Sequence, residues 1–183
     1  MIDPGLHIYL GTTGAGKTHK AFEDLKDYHA RTKLGCVVID SGRAKNFRAF
    51  PHEPTLQAVV QAVWAEKKLA YWTPRDLDEL ERFLSASEKA GGIAFLIDEI
   101  GFWPGTRELP RVCRVWRHAE VTILVTAQHV GKDLGQVLLG CNPTIYVFRT
   151  TAPRSLEWLE DWHELDQQAV RAQSTGVYIE KRF

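Results

Sequence analysis

The sequence predicts an α/β fold: one domain over residues 1–183, built on a mainly parallel central sheet with helices on both faces. Three observations predict it. Short Val/Ile/Leu-rich runs recur without polar interruption, which is how strands buried on both faces read. Segments of helical period separate those runs, an alternation that favours parallel strands joined by crossover helices. A glycine-rich loop joins the first strand to the first helix. A length of 183 residues suits one domain, since domains run to ~100–200 residues.

Each element has its own justification. Residues 6–10 form an apolar strand. Residues 17–30 read as a helix with Ala21, Phe22, Leu25 and Tyr28 on one face. A second strand covers 36–40 and is closed by Ser41-Gly42. The chain between Gly42 and Pro54 reads as irregular. Residues 55–68 look helical, and 70–72 make a short strand. Thr73 as N-cap and Pro74 as first helical residue predict a helix start there, with Leu77, Leu80 and Leu84 facing inward and Gly91-Gly92 as the stop. Strands follow at 93–97, 121–126 and 144–148, with a helix over 109–118. One helical segment is expected from 153 to about 173, and a last strand over 177–180.

Composition narrows the function classes. Apolar residues make up 44% and charged residues 25%, which a globular chain has and a disordered one does not. With 23 basic against 23 acidic side chains, a uniformly basic nucleic-acid coat is excluded, while a local basic patch is not. No apolar run approaches the ~20 residues that span a bilayer, so no membrane insertion by this chain is expected. The first residues lack the pattern of a secretory signal, and Cys36, Cys113 and Cys141 are scattered without a CxxC pair. Reduced, packed thiols in a cytoplasmic protein are expected. The scattered histidines offer no zinc-ligand cluster.

Gly11-Thr12-Thr13-Gly14-Ala15-Gly16-Lys17-Thr18 matches G-x-x-x-x-G-K-[ST] in full, with a strand before it and a helix after it. Glycines let successive backbone N–H groups turn inward around a phosphate, and the following helix aims its positive end at the same anion. Lys17 would reach the β- and γ-phosphates of ATP, and the Thr18 hydroxyl would ligate Mg2+. A second signal is the apolar strand 93–97 delivering Asp98-Glu99. Asp98 fits the acid that holds the magnesium shell, and Glu99 the base that orients and deprotonates an attacking water. An acid in that place favours hydrolysis over transfer to a second substrate. The third is Gln128, just beyond the strand 121–126, where open α/β sheets place their ligands. Its amide can sense the γ-phosphate or the lytic water.

These motifs in this order resemble the FtsK/HerA superfamily of DNA-pumping ATPases, within the RecA/ASCE-like P-loop NTPase fold. Arg117-His118-Ala119-Glu120 leads into the strand ending at Gln128, similar to the family's arginine turn eleven residues before its sensor glutamine. Residues 142–150 are similar to the family's final core strand. Pro153-Arg154-Ser155-Leu156 then opens a helix as in the compact genome-packaging ATPases of tailless, internal-membrane viruses. The resemblance implies a homo-oligomeric ring, expected to be hexameric, with nucleotide between subunits and double-stranded DNA as cargo. It implies capsid or portal-vertex partners and a place in the host cytoplasm or at the packaging vertex. It also implies an arginine supplied to the neighbour's γ-phosphate. Arg117 is the first candidate and Arg114 the second; they share a helix face, which otherwise reads as a solvated basic stripe with Arg107 and Arg111.

The DNA-contacting residues are less legible. Arg43, Lys45 and Arg48, with Phe47 among them, form one candidate patch, and Lys132 is another; an ordinary solvated loop reads the same way. Trp64, Trp103, Trp116, Trp158 and Trp162 are expected in the core or between subunits, since a duplex exposes no base faces. His118 and His129 flank the proposed sites but suit structural hydrogen bonds. Four alternatives stand beside the packaging reading. Phe102-Trp103-Pro104 also resembles the phage morphogenesis ATPases related to zonula occludens toxin, whose usual membrane span is missing here. A small nucleotide kinase suits the length but needs an arginine-rich lid, which is not found. A GTP switch fits Asp98-Glu99-Ile100-Gly101 but lacks a guanine motif. A nucleotide-binding scaffold without turnover is the last.

Overall fold

Side chains alternate across the first strand, β1 (Leu6–Leu10), and so enter two separate cores: Leu6, Ile8 and Leu10 on one face, Tyr9 on the other. The computed structural model describes residues 2–40, 52–130, 134–135 and 141–182, apart from the side chains of residues 162 and 163. Along the chain β1 is followed by α1 (Lys17–Thr32), β2 (Gly35–Ile39), β3 (His52–Glu53) and α2 (Leu56–Val60). A π-helical turn, Gln61–Ala65, extends α2. Then come β4 (Leu69–Trp72), α3 (Leu77–Ala90), β5 (Ile93–Ile97), a 3-10 turn at Ile100–Phe102, α4 (Glu108–Ala119) and β6 (Val121–Ala127). The chain closes with β7 (Thr144–Phe148), α5 (Pro153–His163), α6 (Gln167–Arg171) and β8 (Tyr178–Arg182).

Among the described residues the strands form one eight-stranded sheet in the order β3-β4-β2-β5-β6-β1-β7-β8. Every pairing is parallel except β7 with β8. All residues of β1, β2, β5 and β6 are buried, as expected for strands covered on both faces. One face packs on α2, α3, α4 and α5 through residues such as Val59, Phe83, Val112 and Leu156. The other packs on α1 through Ala21, Phe22, Leu25 and Tyr28. Cys36, Cys113 and Cys141 are free and buried. Among the described residues no helix is long and apolar enough to cross a membrane.

Four elements differ from expectation. The helix expected to start at Thr73-Pro74 starts at Leu77, because Asp76 takes the cap: its Oδ1 accepts from the Glu79 N–H at 2.8 Å while Glu79 Oε2 accepts from the Arg75 N–H at 2.8 Å. The helix 55–68 gives way to a π turn, closed by the Glu66 N–H donating to the Gln61 carbonyl, and the wider turn carries the Trp64 indole to the Gly91 carbonyl at 2.9 Å. The segment 153–173 is two helices, since Glu164 adopts a left-handed conformation (φ 54°) and Asp166 caps a new start by accepting from the Gln168 N–H. A short edge strand, β3, lies where irregular chain was expected, paired with β4.

Candidate active site

The phosphate loop leaves β1 between two neighbours. The Gly11 N–H donates to Ala127 O at the end of β6, and the Thr12 N–H donates to Arg149 O just past β7. Both bonds clamp the loop at the carboxyl edge of the sheet, where open parallel sheets bind ligands. Gly14 and Gly16 hold φ of 76° and 99°, which turn the backbone N–H groups inward at no steric cost. A side chain at Gly16 would also be crowded, because a Cβ there would sit 3.1 Å from the Gly176 Cα. Gly16 is the N-cap of α1, so Lys17 and Thr18 open that helix and its positive end faces the cradle. Thr13 and Ala15 complete the loop, with the Ala15 N–H donating to Thr12 O at 3.2 Å.

Parallel register delivers the remaining groups. β5 pairs with β2 and β6, so Asp98 and Glu99 emerge beside the end of β6. Lys17 Nζ lies 3.2 Å from Glu99 Oε2, with side-chain exposures of 6% and 15%. Glu99 Oε1 accepts from the Gln128 backbone N–H at 3.0 Å, and Oε2 accepts from Gln128 Nε2 at 3.1 Å. Glu99 itself sits in the left-handed region at φ 56°, an uncommon place for a residue with a long side chain and typical of functional turns. Asp98 is buried. Its Oδ1 accepts from Thr18 Oγ1 and from Thr126 Oγ1, both at 2.8 Å. Burial pushes the Asp98 carboxyl above its ordinary range; the bonds from Thr126 and Thr18 pull it back, and nearby Asp40 adds to the rise. A cavity of about 280 Å³ opens beside Glu99 and Gln128, lined also by Ile100, Phe102 and His129.

The structure therefore brings Lys17, Thr18, Asp98, Glu99 and Gln128 to one edge of the sheet. Arg117 and Arg114 are not there. Both are exposed on the later turns of α4, and α4 runs back toward the amino ends of the strands. Arg117 stacks over the Trp116 ring at 5.1 Å and lines a crevice with Gly5, His7, Thr144 and Arg182. A five-residue strand spans about 16 Å, so this crevice and the phosphate loop lie on opposite edges of the sheet. Arg111 is ion-paired with Glu88 at 3.0 Å. Arg43, Lys45, Phe47, Arg48 and Lys132 lie outside the described residues, as does the side chain of Trp162. Trp64, Trp103, Trp116 and Trp158 are partly buried against the core.

Two site residues escaped the sequence reading. Thr126 is fully buried, donates to Asp98 and accepts from the Glu99 backbone N–H at 2.7 Å, so one hydroxyl links both acids. Its place two residues before Gln128 was the only signal. Asp40 follows β2 beside Asp98, 1% exposed, with Oδ2 accepting from Tyr71 Oη at 2.7 Å and Oδ1 without a partner among the described residues. An acid closing an apolar strand next to Asp98 is the trace it leaves in the sequence.

No family model and no curated protein matches the sequence. Solved structures do. The chain is similar to the genome packaging NTPase B204 from Sulfolobus turreted icosahedral virus 2 in complex with sulfate, at TM-score 0.78 and 16% identity, covering 100% of this chain and 92% of that one. That protein is also known in complex with AMP, AMPPCP and ATP-gammaS. The chain is similar as well to B204, the DNA-packaging ATPase from Sulfolobus Turreted Icosahedral Virus, at TM-score 0.73 and 15% identity, covering 99% and 98% of the two chains. A further likeness is to ATPases 2 and 3 of EssC from Geobacillus thermodenitrificans, at TM-score 0.63 and 14% identity, covering 97% of this chain and 37% of that one. Fold and loop together define a P-loop ATPase fold. Within it, the arrangement is the one shared with these packaging ATPases over nearly the whole of both chains.

Proposed function

We propose that this chain is an ATP-hydrolysing motor that moves double-stranded DNA, as a genome-packaging ATPase of the FtsK/HerA kind acting in a ring of identical subunits. The observation that carries the reading is the convergence of the phosphate loop with Asp98, Glu99 and Gln128 at one sheet edge, centred on the Lys17–Glu99 pair. Likeness to packaging ATPases along almost the whole chain supports the cargo.

The chemistry follows from the contacts. The loop N–H groups and the start of α1 receive the β-phosphate of ATP, and the Lys17 ammonium exchanges Glu99 for the β- and γ-phosphate oxygens. Thr18 and Asp98, one hydroxyl and one carboxylate already 2.8 Å apart, suit a magnesium ion that keeps most of its ligands from water and phosphate. Bound there, magnesium would neutralise charge on the phosphates. Released from Lys17, the Glu99 carboxylate takes a proton from a water aligned with the γ-phosphorus. The water oxygen bonds to that phosphorus as its bond to the bridging oxygen breaks, leaving ADP and inorganic phosphate. Gln128 holds both Glu99 oxygens before ATP arrives, so any movement of Glu99 pulls on the end of β6.

Arg117 sits on the opposite edge from its own loop, so its role is in trans: a neighbour in the ring would present it to the γ-phosphate, with Arg114 one turn earlier as the second candidate. Capsid or portal-vertex proteins would receive the ring in the host cytoplasm. ATP hydrolysis measured with and without duplex DNA, alongside particle mass in solution, tests the proposal. Expected are DNA-stimulated turnover and a mass several times 20.8 kDa. Absence of hydrolysis in both conditions overturns it.

A further inference from the structure

The nucleotide has two ends, and the contacts above account for one. Glu99 and Gln128 mark the γ-phosphate end on the β5–β6 side of β1; β7 and β8 lie on the other side. A triphosphate laid along the loop with its γ-end at Glu99 therefore delivers its nucleoside toward β7 and β8. What waits there is the turn 174–177, closed by the Val177 N–H donating to Ser174 O at 3.1 Å. This turn rests on the phosphate loop: the Gly176 N–H donates to Ala15 O at 2.9 Å, and the Gly176 Cα lies 3.1 Å from where a Cβ on Gly16 would sit.

Gln173 is the residue directly before that turn. Both ends of its carboxamide, Nε2 and Oε1, are buried, and among the described residues neither meets a hydrogen-bond partner. A buried carboxamide is ordinarily satisfied, and one unpartnered at both ends is unusual enough to require a ligand or a cost. Three residues from Gly176, it lies within about 10 Å of the loop backbone, which is the reach of a nucleoside from its α-phosphate.

We propose that Gln173 reads the adenine base: Oε1 accepts from the exocyclic amine, and Nε2 donates to the adjacent ring nitrogen. An amide side chain is the one that matches this donor–acceptor pair in bidentate fashion. Guanine presents the mirrored pair, O6 and N1–H, which the carboxamide meets after turning over by 180°, so Gln173 grips a purine edge and does not by itself choose between the two purines. The inference rests on the phosphate loop binding ATP, and it adds which residue holds the base.

Binding of ATP, GTP and inorganic tripolyphosphate to the full chain separates the two. Gln173→Leu should lose about tenfold in affinity for ATP while tripolyphosphate affinity stays unchanged. Gln173→Glu replaces a donor by a second acceptor, which suits the two N–H groups of guanine, and should shift the ATP-to-GTP ratio toward GTP. Unchanged ATP affinity in Gln173→Leu, or an unchanged ratio in Gln173→Glu, overturns the proposal. So does a parallel loss of ATP and tripolyphosphate, which would make Gln173 a prop for the loop. If wild type binds tripolyphosphate no better than Lys17→Ala does, the phosphate-loop reading fails first and takes this one with it.

Discussion

Lys17 and Glu99 form an ion pair across the site: the ammonium of the phosphate loop lies 3.2 Å from the carboxylate that follows Asp98. On the proposed function, a triphosphate competes with Glu99 for Lys17.

That pairing has an energetic signature. Lys17→Ala strands a largely buried carboxylate and should lower stability by about 2–4 kcal/mol without nucleotide. Glu99→Gln should cost less, since its amide oxygen still accepts from Lys17. In urea unfolding the double variant should fall short of the sum by about 1–3 kcal/mol. Strict additivity would remove the pair from the account. In turnover assays Glu99→Gln should retain ATP binding and lose hydrolysis by about 100-fold or more.

Thr126 is the hinge between the two acids, donating to Asp98 and accepting from the Glu99 backbone. Thr126→Val keeps the shape and removes both bonds. A loss of about 1–3 kcal/mol is expected, with slowed turnover that Thr126→Ser restores. Wild-type turnover in the valine variant would show the hydroxyl to be a bystander.

His7 supplies a pH dependence. Its Nε2 bonds Asp3 O at 2.8 Å, and its ring stacks on Tyr146. Burial lowers its pKa below the ordinary 6.5; the carboxylates of Asp24, Asp3 and Glu180 work the other way and are outweighed. Below about 6.5 the unfolded chain therefore binds the proton more readily than the folded one, so stability falls as the pH drops through that value. Thermal melts at pH 7.5 and 5.5 should show a smaller drop for His7→Phe than for wild type. Equal drops would assign the acid sensitivity elsewhere.

Arg117 is testable by mixing. If Arg117 acts in trans, Arg117→Ala alone should lose hydrolysis by about 1000-fold or more, the loss typical of an arginine finger. Mixed with inactive Lys17→Ala subunits, it should regain activity, since a ring then contains sites with an intact loop facing an intact arginine. No recovery at any ratio excludes the trans role and turns attention to Arg114.

Contiguous residues could be read directly. The loop from Gly11 to Thr18, the acids after β5 and the glutamine after β6 were legible because each depends on a short stretch whose backbone geometry is local. The same holds for β1, β5 and β6, whose unbroken apolar runs admit one environment. The helix start at Asp76 and the break at Glu164 were not, because several caps compete locally and packing selects among them.

Strand order decided the rest. It set Lys17 against Glu99 across 82 positions of sequence, placed Asp40 beside Asp98, sent Arg117 to the far edge, and laid the turn after Gln173 on the phosphate loop. No local pattern encodes those meetings. They arise when a parallel sheet aligns the ends of distant strands, which only the folded chain does.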